Sequence, residues 1–133
     1  MHILEVSIES VFQALSDPTR LRVVRLLQTS REEACLCELV DSLLEPQYKL
    51  SRHLKILRQA GILEIEKDGR WVYHRLVSNS DHLRALFDVI DDFPDPKRVS
   101  RDGLKRFQKR LKHREDGRCR VGVLTEELKT EAV

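Results

Sequence analysis

The segment from Gln47 to Leu76 leaves the chain the least freedom. In "QYKLSRHLKILRQAG", Leu50, His53, Leu54 and Leu57 recur at i, i+3, i+4 and i+7, one face of an α-helix, while Tyr48, Lys49, Ser51, Arg52 and Lys55 point away. Gly61 supplies the usual helix stop. The next stretch, "ILEIEKDGRWVYHRL", alternates apolar and polar residues on both sides of Asp68-Gly69, a dipeptide suited to a two-residue hairpin turn because its central positions need positive φ. Upstream, residues 34–44 scan as a short amphipathic helix closed by Glu45-Pro46. A short helix, a tight turn, a second helix with a basic outer face and then a hairpin predict a mainly α fold of helix-turn-helix type with a small β-hairpin.

The flanks supply the helices such a motif needs for a core. Residues 5–15 put Ile8, Val11, Phe12 and Leu15 on one stripe. In "SDPTRLRVVRLLQ", Asp17 can accept the free amide bonds of a helix start and Pro18 fits the first helical position; Leu21, Val24 and Leu27 form the stripe. Residues 80–92 align Leu83, Leu86, Phe87 and Ile90, and "FPDP" ends that helix. The expected organisation is a helix-turn-helix DNA-binding domain over 1–94 followed by a basic extension over 95–133.

Charge is unevenly spread. The net charge is +2, yet residues 97–120 carry eleven Lys/Arg against three Asp/Glu, so the remainder is acidic and a uniformly basic nucleic-acid coat is excluded. Within that remainder, residues 47–75 hold seven basic side chains against Glu64, Glu66 and Asp68, a local positive surface of the kind a duplex requires. No run approaches the roughly 18 apolar residues of a membrane span, and the N-terminus lacks the basic region and cleavage site of a signal peptide. The expectation is a cytoplasmic protein with no membrane partner. Three cysteines at spacings of 2 and 82 are poor material for a disulfide framework in such a compartment, so they are expected as free thiols or ligands.

In order along residues 8–92, "ALSDPTRLRVVRLL", "ACLCEL", "LSRHLKILRQAGIL" and "KDGRWVYHRL" resemble the ArsR/SmtB family of arsenic- and metal-responsive transcriptional repressors. The resemblance implies a winged helix-turn-helix homodimer formed by the first and last core helices, a palindromic operator, an inverted repeat in double-stranded DNA, and an inducer whose binding releases the DNA. On helix-turn-helix geometry, Gln47, Tyr48, Ser51 and Arg52 are the candidates for base or groove contact, Lys49 and Lys55 divide between bases and backbone, and Lys67 and Arg70 flank the hairpin tip, in reach of the minor groove or its phosphates. The alternative is an ordinary solvated charged face. His53, on the apolar stripe, reads as a half-buried structural histidine rather than a base reader.

Cys35 and Cys37 pose the second question. Helical neighbours two apart project about 200° from each other, so within an intact helix the thiols diverge. Soft thiolates suit a thiophilic ion, and a helix N-terminus favours the anion. Capture of one ion by both is therefore expected to loosen the first turn and disturb the support of the recognition helix. By the resemblance the ion is trivalent arsenic, with antimony a close relative, and Cys35 and Cys37 are its ligands. The family's arsenic sensors add a cysteine three residues further on, where this chain has Val40. The remaining thiol is Cys119; it either completes a three-sulfur site by fold-back of the tail, from its own or the dimer mate's subunit, or is incidental.

Rival readings stay open at this level. Sensors of cadmium or lead add cysteines from the N-terminal arm, and "MHILEVS" has none; zinc sensors use a spaced Asp/His set, and here Asp81-His82 lacks a downstream His-x-x-Glu. His2 and His113 are isolated and expected to be solvated. Thiol oxidation is another possible trigger. An enzyme would need a nucleophile with an adjacent base and a pocket, an arrangement the sequence does not display. In the tail, Leu104, Phe107 and Leu111 align along one side of a basic helix that Gly103 weakens without forbidding; it could contact phosphates, dock on the dimer, carry Cys119 inward or remain a solvated appendage.

Overall fold

The computed structural model describes residues 7–131. Helix α1 (Ile8–Leu15) starts on Ser7, whose hydroxyl accepts from the Ser10 amide, and α2 (Pro18–Ser30) starts as the sequence expects, with the Asp17 carboxylate accepting from the Arg20 amide and Pro18 at the first helical position. The part of the expected first helix over residues 5 and 6 lies outside the described residues, as does His2.

The chain then forms strand β1 (Ala34–Cys35) before entering α3 (Leu36–Leu43). This corrects the expected helix over 34–44. Ala34 and Cys35 pair with His74 and Tyr73, so their backbone groups are engaged by a sheet, and Cys35 is extended (φ −78°, ψ 159°) at the N-cap position of α3. Across a short turn, α4 (Gln47–Gln59) presents Leu50, Leu54 and Leu57 to the core. It ends where expected: Gly61 takes φ +79°, and the amide of Ile62 donates to the Leu57 carbonyl to close the last turn.

Strands β2 (Leu63–Asp68) and β3 (Trp71–Leu76) form the hairpin, and β1 joins them in an antiparallel sheet of order β1-β3-β2. Asp68 pairs with Trp71, so the two loop residues are Gly69 and Arg70, one position later than the Asp68-Gly69 pair read from the sequence. Gly69 carries the positive φ of +61° and Arg70 does not, which is a turn that demands glycine only at its first central position. Helix α5 (Asp81–Asp92) is capped by the Ser80 hydroxyl and returns along α2.

Helix α6 (Val99–Leu111) is held at its start by the Asp95 carboxylate, which accepts from the amides of Ser100 and Arg101. It packs against α2 and α3, with Phe107 fully buried in the same cluster as Val23, Leu27, Leu39, Leu50 and Phe87, and Leu104 and Leu111 at its edge. A last short helix, α7 (Thr125–Thr130), follows. The tail is therefore a folded strap over α3 and not a solvated appendage. No helix among the described residues is long and apolar enough to cross a membrane.

Candidate thiol site and nucleic-acid interface

The strap carries its arginines in a register set by the helix. Arg106, Arg110 and Arg114 are four apart, so they share one side of α6 and its continuation, and they meet α3 at successive levels. Arg106 Nε donates to the Ser42 carbonyl at 2.7 Å, Arg110 Nε to Asp41 at 2.6 Å, and Arg114 to both oxygens of Glu38 at 2.7 and 2.9 Å. Arg110 and Asp41 are both inaccessible to solvent. Asp41 also accepts from the Leu124 amide (3.0 Å) and the Thr125 hydroxyl (2.6 Å), while Arg110 Nη2 donates to the carbonyls of Val121 and Gly122 at 2.7 and 3.0 Å. One ion pair thus fastens both limbs of the strap to α3.

The consequence is where Cys119 arrives. The Tyr73 hydroxyl accepts from its amide at 2.7 Å, Arg118 stacks over the Tyr73 ring at 3.9 Å, and the Cys119 thiol is fully buried. Its sulfur is 3.6 Å from that of Cys37 and lies, with the sulfur of Cys35 and a Glu38 carboxylate oxygen, in a group spanning no more than 4.8 Å. Three thiols from two remote parts of the chain meet at the N-terminus of α3. Because Cys35 precedes the helix in extended backbone, all three converge with α3 intact; the expectation that capture must unwind its first turn is overturned.

Arg110 Nη2 approaches the sulfurs of Cys37 and Cys119 at 3.7 and 3.9 Å, and its Nη1 is buried without a partner. The Cys37 thiol is held down to about 6 by its interaction with the Cys35 thiol, with further help from Cys119 and the Arg110 charge against the cost of burial. Cys35 is pushed up, first by the same interaction and then by burial, and Cys119 is pushed up by burial. The set therefore holds one ready thiolate beside two protonated thiols. Glu38 has its oxygens occupied by Arg114 and the Cys35 amide, so the donors left for an ion are soft sulfurs.

Sequence reading missed Arg110, Asp41, Glu38 and Tyr73. The signal was present as arginines at i, i+4 and i+8 in the tail facing carboxylates at i and i+3 on α3, but basic runs are usually solvated, and pairing them across some 70 residues requires the fold. His53 sits as expected, half-buried, with Nδ1 3.1 Å from Arg20 Nη1 and 3.8 Å from Asp17.

Of the residues expected to meet DNA, Gln47, Tyr48, Lys49, Ser51, Arg52 and Lys55 are exposed on α4, and Lys67 and Arg70 on the hairpin. Among the described residues, none of Lys49, Arg52, Lys55, Lys67 and Arg70 forms an ion pair, whereas Arg75 is held by Glu64, Glu66 and Glu33. The free positive charge of this face is thus concentrated on the outer side of α4 and the tip of the hairpin.

A supported second helix followed directly by a hairpin wing, both bearing unpaired cations, defines a winged helix-turn-helix transcriptional regulator. The comparisons agree. Residues 17–64 match the family model for the bacterial regulatory protein, arsR family. The chain is 44% identical over 82 residues to the arsenical resistance operon repressor of Escherichia coli K12, covering 62% of this chain and 67% of that protein. It is 35% identical over 82 residues to an uncharacterized HTH-type transcriptional regulator of Methanocaldococcus jannaschii (62% and 89%), and 43% identical over 81 residues to the HTH-type transcriptional repressor SmtB of Mycobacterium tuberculosis (61% and 56%). The protein belongs to the ArsR/SmtB family of metal-responsive transcriptional repressors.

Proposed function

We propose that the protein is a homodimeric repressor that occupies an inverted-repeat operator through α4 and the wing and loses its affinity for that operator once a trivalent arsenic or antimony ion is bound by Cys35, Cys37 and Cys119. The observation that carries the reading is the meeting of the three sulfurs, with Cys37 and Cys119 at 3.6 Å although 82 residues separate them. Three thiolates balance the charge of a trivalent ion, and the nearby Arg110–Asp41 and Arg114–Glu38 pairs add no net charge. A divalent ion in the same set would leave one uncompensated negative charge in a buried site, which favours arsenic or antimony over cadmium, lead or zinc. The E. coli relative is named for arsenical resistance, in the same direction.

Ion binding would act on two supports of the DNA-reading face. Cys35 and Cys37 lie at the start of α3, which precedes α4, and Cys119 follows Arg118, whose guanidinium donates to Asp68 on the hairpin at 2.9 Å. Drawing the sulfurs together therefore shifts α3 against α4 and pulls at the base of the wing tip. A hundredfold loss of operator affinity requires about 2.7 kcal/mol of coupling, an ordinary value for such switches. Dimerisation is supported by apolar side chains left exposed on α1 and α5, Ile8, Phe12 and Val89, which line an apolar hollow of about 640 Å³ between the two helices. Reducing cytoplasm is the compartment in which three free thiols persist.

The test is a gel shift on the promoter upstream of its own gene, titrated with arsenite, antimonite, cadmium and zinc. The native protein should release at the lowest arsenite or antimonite concentrations, and serine at any of the three cysteines should raise the concentration needed. Release by cadmium or zinc alone, or by peroxide but not arsenite, would replace this reading with a divalent-metal or oxidation sensor.

A further inference from the structure

Cys35 and Cys37 form the floor of a cleft of about 550 Å³ whose walls are α4 on one side and β3 of the wing on the other. Its α4 wall presents Ser51, Arg52, Lys55 and Arg58, its wing wall Arg70 and Trp71, and among the described residues no carboxylate lines it. Arg70 lies over the Trp71 ring at 4.7 Å, which fixes a cation at the mouth. Cys119 sits behind the floor, fully buried. An electropositive slot between a recognition helix and a wing is complementary to the sugar-phosphate backbone of a duplex, and five of its lining residues, Gln47, Ser51, Arg52, Lys55 and Arg70, are ones expected to meet DNA.

We infer that the bound operator closes the entrance to the thiol site, so that the inducer loads only onto repressor that has left the DNA. This rests on the proposed DNA-binding face and thiol site and adds an order of events to them. With α4 and the wing seated on a duplex, the backbone lies across the cleft mouth and the sulfurs on its floor have no path to solvent. The inducer then acts by trapping free protein, and its concentration sets how much protein is trapped without setting how fast the operator is vacated.

Two measurements on the full-length protein test this. Iodoacetamide labelling of Cys37, read by mass spectrometry, should slow by about elevenfold when operator duplex is present at ten times its dissociation constant, since labelling then proceeds through the free fraction; a duplex of unrelated sequence, at a salt concentration where it does not bind, should give no protection. Equal labelling of free and operator-bound protein overturns the inference, as does failure to bind any duplex. In stopped flow with excess competitor duplex, the rate of operator release should stay at the spontaneous dissociation rate at every arsenite concentration. A release rate that climbs with arsenite would show that the ion reaches the bound complex. Because the labelling arm uses no arsenic, protection by operator together with an equilibrium operator occupancy that arsenite does not lower would refute the inducer assignment while leaving the occluded entrance standing.

Discussion

Arg110→Met removes the guanidinium that joins the strap to α3 while keeping an unbranched chain of similar reach. The partner left behind, Asp41, is inaccessible to solvent, and breaking a buried ion pair from one side costs about 3–5 kcal/mol because the surviving charge is uncompensated. Asp41 keeps its bonds from the Leu124 amide and the Thr125 hydroxyl, which places the expected loss near the lower end, about 3 kcal/mol. That is a large share of the roughly 5–15 kcal/mol that holds a domain folded. Asp41→Asn in the same background removes the stranded charge and retains an acceptor for the same two donors, so the double variant should recover a substantial part of the loss. The assay is urea unfolding followed by circular dichroism for the native protein, Arg110→Met, Asp41→Asn and the pair. Single variants within about 0.5 kcal/mol of native, or a double variant whose loss equals the sum of the singles, would refute the pair as the strap's fastening.

Further outcomes follow from individual contacts. The rate of Cys37 alkylation should rise through a midpoint near pH 6, the thiolate being favoured by Cys35, Cys119 and Arg110; a rise centred near pH 9 would show that these neighbours do not act on it. Gly103→Ala should stabilise by up to about 1 kcal/mol, because the glycine lies inside α6 and the added methyl would meet Leu43 Cδ2 and the Ser42 carbonyl at 3.7 Å, ordinary contact; thermal melts that fall instead would place a clash there. Arg52→Ala should cost about 1–3 kcal/mol of operator affinity if it reads a base, against a sequence-independent loss with a shallower salt dependence for Lys67→Ala if that residue meets phosphate; fluorescence anisotropy at several salt concentrations separates the two. Phe12→Asp should shift the protein towards monomer in sedimentation, since Phe12 is 53% exposed on the proposed dimer face, and an unchanged dimer would move that face elsewhere.

The parts of the fold that were legible in the sequence are those written in local pattern. Asp17-Pro18, the i, i+3, i+4, i+7 stripe of α4, Gly61 and the alternation around Gly69 each specify a cap, a face or a turn within a few residues, and the structure places each within one position of where it was read. The start of α3 was misjudged because "EEACLCEL" is compatible with helix throughout; what stops the helix at Leu36 is the pairing of Ala34 and Cys35 with β3, a partner some 40 residues away. The same limit applied to the site. Cys35 and Cys37 were visible as a pair and Cys119 as a spare thiol, but their meeting depends on a buried arginine in a run that by composition looked solvated. Non-local electrostatics leaves little trace in periodicity.

In the proposed site three sulfurs, one of them from the strap, hold a single trivalent ion. X-ray absorption at the arsenic edge, on protein loaded with one equivalent of arsenite, measures this most directly. Three sulfur neighbours are expected in the native protein and two, with an oxygen in the third place, in Cys119→Ser. Two sulfurs in the native protein, with Cys119 still open to alkylation after unfolding, would contradict the three-sulfur site.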